Sequence, residues 1–200
     1  MIYPITAYGD PVLRARASEI PADFTEADLA TLVADMFETM AHAHGVGLAA
    51  PQISKSLRLF VIDSTPMVES DDDADQTNPR YRQPAIRRAF INPVMVAETG
   101  AEWGFDEGCL SIPGIHEQVH RPERVRLRYE DLARQLHEEE FDGIAARIIQ
   151  HEYDHLEGIL FTDHLNALKK RLLKNRLLRI SKGDVDADYR MRFPAVASRR

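Results

Sequence analysis

Two histidines four positions apart, His151 and His155, enclose Glu152 in an H-E-x-x-H arrangement. Residues with this spacing lie on one face of an α-helix, so both imidazoles can bind one metal ion. Ile144 and Ile148 fall on the same face, which indicates that the metal-binding side of the helix is also its buried side. Glu152 is then close enough to act as a general base without being a ligand.

The motif supplies two ligands, whereas a hydrolytic metal site typically has three protein ligands and a fourth position for water. The third ligands of other H-E-x-x-H enzymes are missing, because Phe161 occupies the position of a third histidine and no glutamate follows Glu157. Asp163 and His164 have suitable side chains but lie in no supporting motif. Cys109 is the remaining candidate, and its thiolate would complete a three-ligand site.

Cys109 has two other interpretations. A lone cysteine is often a small buried apolar residue, and a cysteine near a histidine can be a nucleophile. As the single cysteine of the chain, it cannot form an internal disulfide, which is consistent with a reducing compartment. The H-E-x-x-H motif has no evident purpose in cysteine nucleophile chemistry, and this favours the ligand hypothesis.

The composition is that of a globular protein, with 200 residues, 44% hydrophobic and 28% charged residues, and a formal net charge of −7. This length is sufficient for one domain with a continuous core. No stretch approaches the roughly 18 apolar residues of a membrane span, and the opening residues lack the features of a secretory signal. We therefore expect a cytoplasmic protein that binds neither a membrane nor DNA.

Hydrophobic periodicity predicts three helices. The first begins after Thr25, carries apolar residues at three- and four-residue spacing up to Met40, and ends by Gly45. The second covers 144–156 and ends near Gly158, and the third covers 165–180. The segment 45–52, rich in Gly and Pro, is predicted to be a structured loop.

Strand patterns lie between the first two helices. They cover 57–63, 90–99 with a break at Pro93, the alternating residues Val125, Leu127 and Tyr129, and 136–141. This order predicts an α+β domain, with antiparallel or mixed sheets around a central metal-binding helix and with an N-terminal and a C-terminal helix. We expect one domain over 1–182, a mobile charged insertion at 64–89, and a polar tail over 183–200.

Three segments together resemble the signature motifs of the peptide deformylase family and occur in the order typical of that family. The opening segment 8–14 is also similar to the family's N-terminal region, so the resemblance extends to about residue 168. The three segments are Gly45-Val46-Gly47-Leu48-Ala49-Ala50-Pro51-Gln52, Glu107-Gly108-Cys109-Leu110-Ser111 and Gln150-His151-Glu152-Tyr153-Asp154-His155-Leu156-Glu157-Gly158.

The resemblance implies hydrolytic removal of the N-formyl group from the N-terminal formyl-methionine of newly made polypeptides, with release of formate. It assigns Cys109, His151 and His155 to one divalent metal ion, with Fe²⁺ favoured over Zn²⁺, Ni²⁺ or Co²⁺. Such a cation lowers the pKa of a water in its fourth position toward neutrality, and Glu152 would take the water proton.

The resemblance also implies roles for residues around the metal. The Leu110 backbone N–H and the Gln52 side-chain amide would donate to the oxyanion, and Glu107 would fix the loop by charge pairing. Val46, Gly47 and Gly108 would bind the substrate backbone as an added strand. The substrate methionine would enter a pocket lined by Phe105, Ile144, Ile148 and His151, near which Arg147 and His116 depart from the residue types usual in the family.

The last predicted helix is amphipathic and strongly basic. Since nascent chains are the implied substrate, we expect it to contact the ribosome. Two alternatives stay open: an H-E-x-x-H metallopeptidase, and a metal-stabilised RNA-binding module that relies on this helix. Its basic residues are Lys169, Lys170, Arg171, Lys174, Arg176, Arg179 and Lys182.

Overall fold

A computed structural model describes residues 1–68 and 83–195 of the chain. The predicted α+β class, with an antiparallel sheet and few helices, is confirmed. Short 3₁₀ turns cover Pro11–Arg14, Ala50–Ile53 and Phe161–His164. The helices and strands are β1 (Ile5–Thr6), α1 (Glu26–His42), β2 (Gly47–Ala49), β3 (Leu59–Asp63), α2 (Thr65–Val68), β4 (Arg87–Cys109), β5 (Ile112–Glu130), β6 (Leu136–Asp142), α3 (Gly143–Leu156), α4 (Ala167–Ser181) and β7 (Met191–Arg192).

Five strands form one antiparallel sheet in the order β2-β3-β4-β5-β6, and β1 and β7 form a separate parallel pair. β4 and β5 are a long hairpin whose last pair is Cys109 opposite Ile112. Val125, Leu127 and Tyr129 on β5 are all buried, as their alternation predicted. The hairpin therefore ends in a turn at residues 110 and 111, directly after Cys109.

The strand predicted over 90–99 is part of a much longer one, since β4 runs for 23 residues beside β5. The predicted break at Pro93 is confirmed as a shift in pairing register between Ile91 and Val94, because proline has no N–H to donate to a partner strand. The segment predicted over 136–141 pairs with β5 as β6. The predicted loop 45–52 contains β2 and the start of a 3₁₀ turn.

α1 begins and buries its apolar face as predicted. The Thr25 hydroxyl accepts a hydrogen bond from the Asp28 N–H at 3.1 Å and so caps the first turn. The helix ends at His42, and His44, with φ at 56°, turns the chain before Gly45 is reached. The buried face consists of Leu29, Leu32, Val33, Met36, Thr39 and Met40.

α3 carries the H-E-x-x-H motif and packs against β2, β3, β5 and β6. The Asp142 side chain accepts from the Gly143 N–H at 2.6 Å and fixes the start of the helix. After its last turn, Gly158 has φ at 75°, and a Cβ there would lie 2.6 Å from the Arg14 carbonyl oxygen. A glycine is therefore required where this helix ends against the N-terminal segment.

Only some of the apolar residues of α4 face the protein. Leu173, Leu177 and Ile180 are buried, whereas Leu168 and Leu172 are exposed. Both sets have helical spacing, so periodicity alone does not decide which one faces the protein. None of the helices in the described ranges combines the length and apolar composition that a membrane span requires.

The charged insertion predicted at 64–89 is held at both of its described ends. The Ser64 N–H donates to the Ile86 carbonyl, and the Ile86 N–H donates to the Ser64 hydroxyl, each at 2.9 Å. Arg87 already belongs to β4, so the insertion is shorter than predicted. The acidic stretch of this insertion, residues 69–75, lies outside the described residues.

The polar tail predicted over 183–200 is not separate from the fold in its described part. β7 pairs in parallel with β1, with Ile5 opposite Met191 and Thr6 opposite Arg192. The Ile5 N–H also donates to the Arg190 carbonyl at 2.8 Å. A strand of two residues has no periodicity that a sequence pattern could reveal, which explains the incorrect boundary.

Candidate metal centre and active site

Three side chains distant in sequence meet where β4 ends against α3. The Cys109 sulfur and the imidazoles of His151 and His155 each offer a ligand atom, and these atoms lie within 4.8 Å of one another. Cys109 Sγ is 3.4 Å from His155 Nε2. Tetrahedral coordination with usual bond lengths requires ligand separations of about 3.3–3.6 Å, so the cluster fits one metal ion with small adjustments.

The surroundings of both histidines suit a cation. Burial, reinforced by the positive charge of His151, lowers the pKa of His155 to about 3, so this imidazole stays neutral and can act as a ligand. Burial also acts to lower the pKa of His151, but hydrogen bonds to Cys109 and Glu107 outweigh it and hold that pKa well above its usual value. Cys109 and Glu107, which favour a positive charge on His151, would also favour a metal ion bound beside it.

Glu107 orients the His151 ring by a hydrogen bond to its Nδ1. Its Oε2 lies 3.0 Å from His151 Nδ1, which leaves Nε2 for the metal. Burial alone would raise the pKa of Glu107, but hydrogen bonds from His151 and Arg121 hold it far below its usual value. Glu107 is therefore an ionised carboxylate. Nδ1 of His151 carries a hydrogen and donates it to Glu107 in the hydrogen bond.

Two buried arginines bind the same carboxylate. Arg121 donates to both oxygens of Glu107, at 2.7 and 3.0 Å, and also to Asp154 at 2.7 Å. Arg147 donates to Glu107 Oε1 at 2.9 Å while its guanidinium lies 4.3 Å from the Trp103 ring centre. These ion pairs join the hairpin to α3.

Glu152 is 4% exposed and faces β2. Burial raises its pKa to about 7. A Cβ added to Gly47 would lie 2.7 Å from the Glu152 carboxyl carbon, so glycine is needed for this approach. Glu152 Oε2 is buried without a hydrogen-bond partner among the residues that the structure describes.

Gln52 is 1% exposed, so its amide lies inside the protein and not on its surface. Its Oε1 accepts from the Ala49 N–H at 2.8 Å, which fixes the direction of the amide. Its Nε2 then lies 3.5 Å from Cys109 Sγ and 3.3 Å from Ser111 Oγ. Gln52 thus presents donor hydrogens to the turn that contains Leu110.

A cavity of about 500 Å³ opens onto the cluster. Ile144 does not line it, contrary to prediction, because this side chain packs in the core with residues of the sheet and α3. Arg147 and His116 both line it, and so do residues 186–189, which were predicted to belong to a tail. Of the residues predicted to line the pocket, Phe105, Ile148 and His151 are found there, together with Val46, Gly47 and Gly108, which were predicted to bind the substrate backbone.

A family model described as polypeptide deformylase matches residues 2–171 of this chain. The chain belongs to the polypeptide deformylase family. The predicted assignment is therefore confirmed, and with it the class of a metal-dependent hydrolase that removes the N-formyl group from nascent peptides. The two alternatives, a metallopeptidase and an RNA-binding module, are set aside.

Curated relatives of the deformylase family match this chain along almost its whole length. A peptide deformylase of Cytophaga hutchinsonii is 55% identical over 194 residues, which is 97% of this chain and 98% of the relative. One of Flavobacterium johnsoniae is 46% identical over 200 residues, with 100% of both chains covered.

Solved deformylase structures share the fold. A peptide deformylase of Legionella pneumophila is 37% identical, with a TM-score of 0.73 over 91% of this chain and 96% of that one. A Plasmodium falciparum peptide deformylase is 34% identical, with a TM-score of 0.75 over 90% of this chain and 95% of that one.

Several residues of this deformylase site were not predicted from the sequence. Arg121 lies in a strand with other arginines, and nothing in its spacing distinguishes it from them. Asp154 lies inside the H-E-x-x-H motif, where its carboxylate binds both Arg121 and His164. The position of Asp154 on α3, three residues after His151, was the one available signal.

Proposed function

We propose that this chain deformylates N-formyl-methionyl chain ends at the cluster of Cys109, His151 and His155, with Glu152 as general base. The convergence of the three ligand atoms within 4.8 Å, beside a buried carboxylate on the same helix, carries the proposal. α3 is then the metal-binding helix of the fold. The site lies in a single domain that includes β7, in a cytoplasmic protein.

A divalent cation held by these ligands would supply Lewis-acid chemistry, activating water and polarising the formyl carbonyl. One thiolate and two imidazoles accept Fe²⁺, Zn²⁺, Ni²⁺ or Co²⁺. We propose Fe²⁺ as the native ion on the basis of the family. Glu107 and Arg121 keep the His151 ring in its ligating orientation.

Glu152 moves the proton. Its raised pKa allows it to accept a proton from the attacking water and to release it to the leaving amine of the methionine. The absence of a hydrogen-bond partner for Oε2 within the described ranges leaves this oxygen able to bind the water. The backbone of Gly47 lies close to the Glu152 carboxyl group and restricts its position.

Gln52 and Leu110 stabilise the charge that develops on the formyl oxygen. The Gln52 amide is held by Ala49 and its Nε2 faces the turn, while the Leu110 N–H is part of that turn. Removal of one such donor raises an activation barrier by about 2.7–4 kcal/mol. We therefore expect the Gln52 amide and the Leu110 N–H each to lower the activation barrier by about this amount.

The substrate backbone adds along Val46, Gly47 and Gly108. β2 is an edge strand of the sheet, and edge strands accept an additional strand. The Val46 carbonyl already accepts from the Asp63 N–H at 2.8 Å, so it offers the substrate only its second lone pair. The methionine side chain enters the cavity between Phe105 and Ile148.

The central test is anaerobic purification, metal analysis and assay with a formyl-Met-Ala peptide. We expect formate and a free α-amine in equal amounts, with no internal cleavage. Glu152→Gln should keep its metal while turnover falls about 10²- to 10⁴-fold. Glu140→Gln, the same change on an exposed strand position, should leave turnover unchanged. Loss of metal from Glu152→Gln, or retention of most of its activity, would contradict the assigned role.

We also propose that α4 contacts the ribosome. Lys169 and Arg179 are engaged with Glu117 and Asp184, whereas Arg171 and Lys174 are exposed and have no ion-pair partner in the described part of the chain. Cosedimentation with ribosomes should weaken for Arg171→Glu with Lys174→Glu and should weaken further with added salt. Unchanged cosedimentation would reject this contact.

A further inference from the structure

After α4 the chain returns to the cavity beside the candidate metal centre. We call residues 184–193 the C-terminal strap. Its far end is fixed by β7, and by hydrogen bonds from Ile5 N–H to Arg190 O and from Ala7 N–H to Arg192 O, each 2.8 Å long. Residues 186–189 of the strap line the cavity that contains His151 and Glu152. The strap is therefore anchored at its end and adjoins the reacting groups in its middle.

Tyr189 joins the strap to the hairpin turn. Its hydroxyl donates to the Leu110 carbonyl oxygen at 2.8 Å. The side chains of Tyr189 and Leu110 are both half-buried and pack against the same core cluster. Tyr189 lies beyond residues 2–171, the region that the family model matches.

The turn after Cys109 is held from three other points of the chain. The Tyr8 N–H donates to the Ser111 carbonyl at 2.8 Å, and Gln52 donates to the Ser111 hydroxyl at 3.3 Å. Tyr189 provides the third bond, and it alone of these three acts on Leu110 itself. The Leu110 carbonyl lies in the peptide plane that follows Leu110, so the bond from Tyr189 restricts that plane directly. The Leu110 N–H lies in the preceding plane and is restricted through the shared Cα of Leu110.

We propose that Tyr189 is a positioning residue that holds Leu110 so that its N–H points at the oxyanion. The inference rests on the proposed function of Leu110 as an oxyanion donor. Tyr189 does not itself touch the reacting atoms. Its effect should appear in the chemical step, because a misdirected donor loses more interaction with the developing charge than with the neutral substrate.

Tyr189→Phe tests this role because it removes one hydroxyl and keeps the ring. With formyl-Met-Ala peptide and metal-loaded enzyme, we expect kcat to fall about 5- to 30-fold, less than the loss of a donor itself, while KM changes less than twofold. Tyr3→Phe is the matched control. The Tyr3 hydroxyl donates to Asp35, a residue of α1 that does not belong to the candidate site. Its kcat should equal that of the wild type.

Amide hydrogen exchange of the metal-free protein gives a second readout that does not depend on turnover. Exchange in the peptide covering 109–113 should become faster in Tyr189→Phe and not in Tyr3→Phe. A kcat equal to the wild-type value, or a fall in kcat without faster exchange in this peptide, would overturn the positioning role. Wild-type protein that releases no formate would instead overturn the proposed function.

Discussion

Gly47 and Glu152 are in contact across the space between β2 and α3, and the missing side chain of Gly47 creates the room for the Glu152 carboxyl group. A Cβ at residue 47 would lie 2.7 Å from the carboxyl carbon and 2.8 Å from Cγ of Glu152. The strand proposed to bind the substrate and the proposed general base therefore determine each other's position. A substitution at Gly47 should therefore also displace the Glu152 carboxyl group, and the reverse should hold for a substitution at Glu152.

Gly47→Ala should lower kcat/KM by about 10- to 100-fold, because Glu152 must move away from the added methyl group. The fold should survive, since the neighbouring atoms belong to a side chain and not to the backbone. Steady-state kinetics with thermal unfolding would measure both effects. Gly104→Ala, on a strand where the added Cβ meets the side chains of Gln118 and His120, is the control and should keep wild-type kcat/KM.

The pH dependence of kcat/KM should have an acid limb set by Glu152. Burial raises the pKa of Glu152 to about 7, and a general base acts only in its ionised form, so activity should rise with pH through this region. A bound cation would lower that pKa, so the midpoint should lie at or below about 7. A profile that falls with increasing pH between 5 and 7 would contradict the assignment.

In the metal-free protein, the contribution of the Glu152 carboxyl group to the stability of the fold should decrease as pH rises. The folded pKa of Glu152 is raised, so its stabilising contribution is complete below the unfolded pKa near 4.5 and is lost as pH rises through about 7. The difference corresponds to roughly 3 kcal/mol. Chemical denaturation of wild-type and Glu152→Gln proteins should show equal stability near pH 4 and a more stable variant at pH 8. Parallel pH curves would disprove this.

Arg121→Lys should weaken both the fold and the metal site. A lysine cannot donate to both oxygens of Glu107 and also reach Asp154, so buried carboxylate oxygens lose their partners. We expect a loss of about 3 kcal/mol in unfolding free energy and about 10- to 100-fold in metal affinity, measured by chelator competition.

The matched control for that change is Arg126→Lys, on the same strand. Arg126 pairs with Glu138 at 3.6 Å, and both side chains are about half exposed. Such pairs contribute no more than about 1 kcal/mol. Equal losses in the two variants would show that burial of the Glu107 network has no special effect.

The side chains of the candidate metal centre could be predicted because the spacing of its two histidines has a geometric meaning. A four-residue repeat on a helix determines that His151 and His155 are neighbours, and α3 has nearly the predicted bounds. Cys109 could be reached only by elimination and by resemblance to a family. Its distance from the histidines depends on where a long hairpin ends, and that is set by pairing between strands far apart in sequence.

The residues that were missed belong to contacts without a local pattern. Arg121 is one of several arginines on β5, and only the fold decides which of them is buried beside Glu107. Ile144 shows the converse, since helical spacing placed it correctly on the buried face but could not distinguish the cavity from the core. Tyr189 was assigned to a tail because two-residue strands are recognised only after folding.

The parallel pairing of β1 with β7 has a consequence for the order in which this protein matures. Translation proceeds toward the C-terminus, so the segment that contains Tyr189 leaves the ribosome after Cys109, His151 and His155 have done so. During its own synthesis the nascent enzyme therefore passes through a stage in which its ligands are present and Leu110 is still unclamped. Full activity should arise late, once the segment containing Tyr189 has been made and has docked.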